Sequence, residues 1–110
     1  MSLLLFNRKK QYSMNINTDQ LKARQEAGDT DFVLLDVRES YEREEFNIGG
    51  IHVPLGELGS SMDKLIPHRD AELIVYCRSG KRSAMAQSLL QQSGFANVRN
   101  LEGGMLAYQG

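Results

Sequence analysis

Two uninterrupted apolar runs constrain the fold of this chain more than any other feature. Phe32-Val33-Leu34-Leu35 ends at Asp36, and Glu72 opens a second run, Leu73-Ile74-Val75-Tyr76, that ends at Cys77. A strand with one wet face alternates apolar and polar residues. A continuous run needs cover on both faces, as in a parallel sheet packed between helices. Helical signals surround the two runs. Thr18 is a predicted N-cap, Asp19 suits the first turn, and Leu21 with Ala23 to Ala27 continues to a stop at Gly28. Ser40 is predicted to cap a second helix with Glu42, Glu44 and Glu45 near its positive end, broken by Asn47 and Gly49-Gly50.

The rest of the chain continues the alternation. Ile51-His52-Val53 is a short apolar piece before Pro54, and Leu55 to Ile66 is a mixed helix-and-turn segment closed by Pro67. From Ser83 a helix is predicted, with Ala84, Met85, Ala86, Leu89 and Leu90 as its apolar stripe and Gly94 at its end. Val98 to Leu101 is a short strand, and Gly103-Gly104 turns into a last segment, Met105 to Tyr108. The pattern predicts an α/β domain with a mainly parallel sheet and helices on both faces. Ligands of such sheets bind beyond the carboxyl ends of strands, where Asp36 and Cys77 both lie.

At 110 residues the chain fits one domain, expected over 15–110 behind a lead-in of residues 1–14. A single cysteine rules out an internal disulfide and a disulfide-built secreted scaffold. The net charge of −1 offers nothing to nucleic acid or an anionic membrane, and Arg8-Lys9-Lys10 is expected to be solvated. No apolar run approaches the ~20 residues of a membrane span, and Leu3 to Phe6 is too short for a signal-peptide core. A reducing cytoplasm is the default expectation. His52, His68 and Cys77 show no close ligand spacing, so neither a metal nor another cofactor is expected.

Any attraction for anions must be local, and one stretch supplies it. Val75-Tyr76 delivers Cys77 into Arg78-Ser79-Gly80-Lys81-Arg82, and Ser83-Ala84 opens a helix. A helix's first turn has unpaired N–H groups and the positive end of the dipole. A loop curling round the cysteine aims several N–H groups at one point, with Gly80 letting the backbone take a conformation most residues avoid. Arg78, Lys81 and Arg82 add positive charge. A free thiol titrates at about 8.5, and such surroundings lower it to about 3.5–7.5. A two-unit shift favours the thiolate by about 2.7 kcal/mol, enough to make it the main form at pH 7. A lone cysteine is usually a small buried hydrophobe. A purely structural one does not need three cations within five residues and a glycine among them.

These residues resemble a known family. Cys77-Arg78-Ser79-Gly80-Lys81-Arg82-Ser83 is similar to the active-site loop of rhodanese-domain proteins, and Leu35-Asp36-Val37-Arg38 to their early Asp-Val-Arg motif. Gly94-Phe95-Ala96-Asn97-Val98, followed by Leu101-Glu102-Gly103-Gly104-Met105, resembles their closing motif. The likeness covers roughly Thr18 to Tyr108, in order and with compatible spacing. It implies a rhodanese-like three-layer domain with a central five-stranded sheet. It also implies a sulfurtransferase whose Cys77 takes sulfane sulfur from a small anionic donor such as thiosulfate, holds it as a persulfide and passes it to cyanide or a thiol. By that resemblance the N–H groups from Arg78 to Ser83 form the cradle. Arg78, Arg82 and Lys81 recruit the donor, and Asp36 and Arg38 support the loop. Two departures stand out. Asn47 to Leu55 lacks the family's Gly-His-Ile-Pro-Gly-Ala block, and Tyr108 stands where Trp is frequent.

Rival functions are weaker. Phosphatase and arsenate reductase loops place arginine six positions after the cysteine, where this chain has Ser83, with Arg82 one position early. A P-loop needs glycine where Val75 stands and Ser or Thr where Arg82 stands. The rival that shares the Cys77 chemistry is a persulfide carrier serving a protein donor or acceptor. Glu42, Glu44 and Glu45 are a candidate recruiting face for it, though a solvated helix face is the plainer reading.

Overall fold

The computed structural model describes residues 15–110; the expected lead-in, 1–14, lies outside the described residues. In chain order the elements are α1 (Thr18–Glu26), β1 (Val33–Asp36), α2 (Ser40–Glu45), β2 (Ile51–His52), α3 (Met62–Leu65), β3 (Glu72–Tyr76), α4 (Lys81–Gln92), β4 (Asn97–Asn100) and α5 (Gly104–Gln109). Single 3-10 turns at Leu55–Glu57 and Ile66–His68 flank α3. Among the described residues no helix is long and apolar enough to cross a membrane.

The strands form one sheet in the order β2-β1-β3-β4, and every pairing is parallel. In register, Leu35 faces Ile51 and Val75, and Val75 faces Asn100. The carboxyl ends of all four strands therefore meet along one edge.

The sheet differs from the expected five mainly parallel strands. Four strands are present among the described residues, and beyond β4 the fifth place holds a single bridge between Ile16 and Leu101. Ile16 N donates to Asn100 O at 3.0 Å, and Glu102 N donates to Ile16 O at 2.9 Å. The pairing cannot extend forward because Asn17 already belongs to α1. Its Oδ1 accepts from Gln20 N at 2.8 Å while Gln20 Oε1 accepts from Asn17 N at 2.9 Å. This reciprocal cap also displaces the expected Thr18, which becomes the first helical residue. Likewise Glu39, not Ser40, caps α2, with Glu39 N donating to Glu42 Oε1 at 3.0 Å.

Both faces of the sheet are buried, which is why the strand runs are continuous. On β3, Leu73 and Val75 join one core with Leu65 of α3, Ala86 and Leu90 of α4 and the nearby Phe95. Ile74 and Tyr76 point the other way and pack with Leu21 of α1 and Met105 of α5. Helices thus cover each side, making three layers. Helix α4 starts at Lys81, two residues before the expected Ser83, after Gly80 turns the backbone at φ 101°. That early start puts Lys81 and Arg82 in the first helical turn rather than in the loop.

Candidate active site

Cys77 follows β3 directly, and α5 pins the start of its loop. Met105 N donates to Cys77 O at 2.9 Å and Leu106 N to Arg78 O at 3.0 Å. The approach depends on Gly104, where an added Cβ would fall 2.5 Å from both carbonyl oxygens, at a φ of +55°. Gly103-Gly104 is legible in the sequence as a turn, but its role here is a close approach of backbone to backbone.

Donors converge on the sulfur. Gly80 N donates to Cys77 Sγ at 3.1 Å and Ser83 N at 3.4 Å, and Ser83 Oγ lies 3.3 Å away. Burial pushes the Cys77 thiol up, but the Ser83 hydroxyl, where it turns to the sulfur, and the N–H groups of Ser83, Gly80 and Ser79 outweigh it and hold the thiol below its ordinary value. Asn100 of β4 ties the cradle together. Its Nδ2 donates to Gly80 O at 3.0 Å, and Ser83 Oγ donates to its Oδ1 at 2.5 Å. Sequence reasoning did not find Asn100. An asparagine in a short strand carries no local signal of a contact 20 residues back.

The cations divide. Arg78 and Lys81 are exposed and, among the described residues, enter no ion pair. Arg82 is bound to Glu42 of α2, with Nη1 to Oε1 at 2.7 Å and Nη2 to Oε2 at 2.8 Å. Arg82 is held firmly charged, and its guanidinium pulls the Glu42 carboxyl down to about 2. Glu42, read from sequence as part of a solvated acidic face, is in fact buried. Its pairing gives a pH expectation. Glu42 titrates lower in the folded than in the unfolded chain, so its contribution is complete above about pH 4.5 and lost as pH falls through about 2. The Glu42→Gln variant should be less stable than the parent by about 2 kcal/mol at pH 7. That gap should close on acidification, as read by thermal unfolding at a series of pH values.

Asp36 and Arg38 form a separate buried cluster. Arg38 donates from Nε to Asp36 Oδ1 at 2.9 Å and from Nη2 to Oδ2 at 2.9 Å, and its Nη2 also reaches Phe46 O at 2.6 Å. Burial works against the Asp36 charge, but the Arg38 guanidinium and N–H outweigh it and hold the carboxyl below the usual range. Among the described residues no hydrogen bond runs from either residue to 77–83. Arg38 instead ties the end of β1 to the end of α2, through Phe46 O. A cavity of about 440 Å³ lies beside the loop, lined by Arg38, Glu42, Phe46, Arg78, Met105 and Leu106 among others. Cys77 itself is fully buried. Among the described residues no group of three His, Cys, Asp or Glu could hold a metal ion.

The model of the rhodanese-like domain matches residues 17–110 of this chain. The chain belongs to the rhodanese-like family. Relatives of this rhodanese-like chain include a Bacillus subtilis (strain 168) protein named "Putative sulfurtransferase YtwF", 40% identical over 86% of this chain and 89% of that protein. The thiosulfate sulfurtransferase PspE of Escherichia coli (strain K12) is 32% identical over 63% of this chain and 67% of its own. Among solved structures, a rhodanese-related protein from Thermoplasma volcanium superposes with a TM-score of 0.74 at 31% identity, covering 87% of this chain and 90% of that one.

Proposed function

We propose that this rhodanese-like chain transfers sulfane sulfur through a persulfide on Cys77. The observation that carries the reading is the convergence of Gly80 N–H and Ser83 N–H within 3.1–3.4 Å of one sulfur atom at the start of α4, with the Ser83 hydroxyl beside it. Such donors stabilise negative charge on that sulfur before and after it reacts. With thiosulfate, the Cys77 thiolate attacks the outer sulfur. The S–S bond of thiosulfate breaks, sulfite leaves with the electron pair, and Cys77 carries an S–S⁻ group. Cyanide or a thiolate then attacks the terminal sulfur and restores the Cys77 thiolate. No external oxidant is needed. Because Cys77 is buried, a donor must displace part of its cover, and a cavity lined by the adjoining Arg78 is open beside the loop.

Arg78 and Lys81 are the cations available to a donor, because Arg82 is committed to Glu42. That commitment also speaks against a phosphatase, whose loop arginine must turn onto the bound oxyanion. Arg78→Ala is expected to raise KM for thiosulfate roughly tenfold, the worth of one charged hydrogen bond, with a smaller change in kcat. A steady-state series in thiosulfate at fixed cyanide separates the two constants.

Intact mass after incubation with thiosulfate tests the whole reading. A gain of one sulfur, about 32 Da, absent from Cys77→Ser and reversed by cyanide, is the expected result for a thiolate-centred carrier of sulfur. Slow turnover with ready loading would assign the same persulfide to a carrier serving a protein partner. No gain, together with no alkylation of Cys77, would sink the proposal.

A further inference from the structure

Ser83 has one hydroxyl proton and two neighbours placed to take it. Its Oγ lies 2.5 Å from Asn100 Oδ1 and 3.3 Å from Cys77 Sγ. The Asn100 amide cannot turn over to resolve the competition. Its Nδ2 donates to Gly80 O at 3.0 Å, and a carbonyl oxygen only accepts. Oδ1 therefore faces Ser83 and brings no proton of its own. The proton in that contact belongs to Ser83, and what Ser83 then presents to the sulfur is oxygen lone pairs.

This arrangement treats the states of Cys77 unequally. A thiol fits it, donating S–H to Ser83 Oγ while Ser83 donates to Asn100. A persulfide fits it too, because charge moves to the outer sulfur and Sγ no longer needs a hydroxyl donor. A thiolate does not fit, since it meets lone pairs from Ser83 and relies on backbone N–H groups alone. Cys77 and Ser83 are fully buried and Asn100 is 6% exposed, so solvent has little access to supply the missing donor. Only when the hydroxyl leaves Asn100 does Ser83 become a donor to the thiolate.

We propose that Asn100 is a positioning residue that competes with Cys77 for the single hydroxyl proton of Ser83, and so sets how readily Cys77 ionises. The proposal rests on Cys77 being the reacting sulfur. Its function is to restrain ionisation of the empty site, so that the thiolate rests on the backbone N–H groups until the hydroxyl turns to it, and to favour return of the hydroxyl to Asn100 once sulfur is loaded. Asn100 acts on the sulfur through Ser83 and not by touching it.

The test is a pH titration of thiolate ultraviolet absorbance. Cys77 is the sole cysteine, and Cys77→Ser supplies the blank that removes tyrosine absorbance. Asn100→Ala frees the hydroxyl and should lower the midpoint, giving about three- to tenfold more thiolate at a pH well below it, the worth of one hydrogen bond. Ser83→Ala should leave the midpoint within about twofold in the same terms, and adding Asn100→Ala to it should change nothing further. A purely structural role for Asn100 would alter thermal stability in both backgrounds without this dependence on Ser83. The proposal is overturned if Ser83→Ala alone removes about tenfold of the thiolate, because the hydroxyl would then already serve the sulfur. It is equally overturned if the Asn100→Ala shift is upward, absent, or persists without Ser83. Should Asn100→Ala not fold, the Ser83→Ala midpoint still decides. The absorbance needs no sulfur donor, so a failure to load sulfur would count against the proposed transfer and leave this reading standing.

Discussion

Exchanging Cys77 for serine should reduce thiosulfate-to-cyanide transfer on the order of 10⁴-fold or more, as removal of a catalytic nucleophile does elsewhere. The chemistry requires an atom that is both ionisable near neutral pH and able to bond a second sulfur. A serine hydroxyl is neither, whatever donors surround it. The same donors make the variant a fair comparison. Gly80 N–H and Ser83 N–H, at 3.1 and 3.4 Å from Sγ, can serve an oxygen placed there, and Ser83 can still bond to it. The near-isosteric exchange should therefore change stability by about 1 kcal/mol or less. Initial rates of thiocyanate formation and a thermal melt on the same sample check both halves. A variant keeping more than about one per cent of the rate would remove Cys77 from the reaction, since no other group in the cradle can carry the step.

Removing the Asp36 carboxylate should give the largest loss of stability. Asp36 is fully buried, and the Arg38 side chain is only 5% exposed. Arg38 spends its Nε and Nη2 on that carboxylate, and the Arg38 backbone N–H donates to Oδ1 at 3.0 Å. Asp36→Ala strands a buried guanidinium, which typically costs about 3–5 kcal/mol. For a domain of this size that lowers Tm by at least roughly 12 °C. Asp36→Asn keeps size and some hydrogen bonding but not the charge, and should fall between the two. Acidification gives the sign independently. The Asp36 carboxyl titrates below its usual value, so its contribution stands above the unfolded value of about 3.9 and disappears only as pH falls through the lower folded one. A Tm for Asp36→Ala within a few degrees of the parent, taking about 4 °C per kcal/mol, would show that the pair does not anchor the wall of the cavity.

Much of the architecture was legible because its causes are local. Continuous apolar strands, helix punctuation by Gly28 and Gly94, and a cysteine between a strand and a helix are properties of neighbouring residues. The misplacements were local competitions that sequence leaves unresolved. Asn17 outbids Thr18 as a cap because Gln20 reciprocates its hydrogen bond. The early start of α4 depends on Gly80 taking a left-handed turn, and Asn100 holds the Gly80 carbonyl from another strand.

The sequence alone determined that the chain forms a layered α/β domain, that a cysteine stands at a strand's carboxyl end, and that cations and a glycine follow it. Those depend on apolar periodicity, backbone preference and residue order, all of which act over a few positions. Tertiary structure decided which charges are spent and which are free. Arg82 sits next to Lys81 in sequence, yet it is neutralised by Glu42, 40 residues earlier, while Lys81 stays exposed. It also decided that Asn100 would meet Ser83, because the parallel register sets Val75 against Asn100 and brings the end of β4 beside the loop. Hydrogen bonds and ion pairs act over about 3 Å, so their partners exist only once the sheet has brought distant residues within that reach.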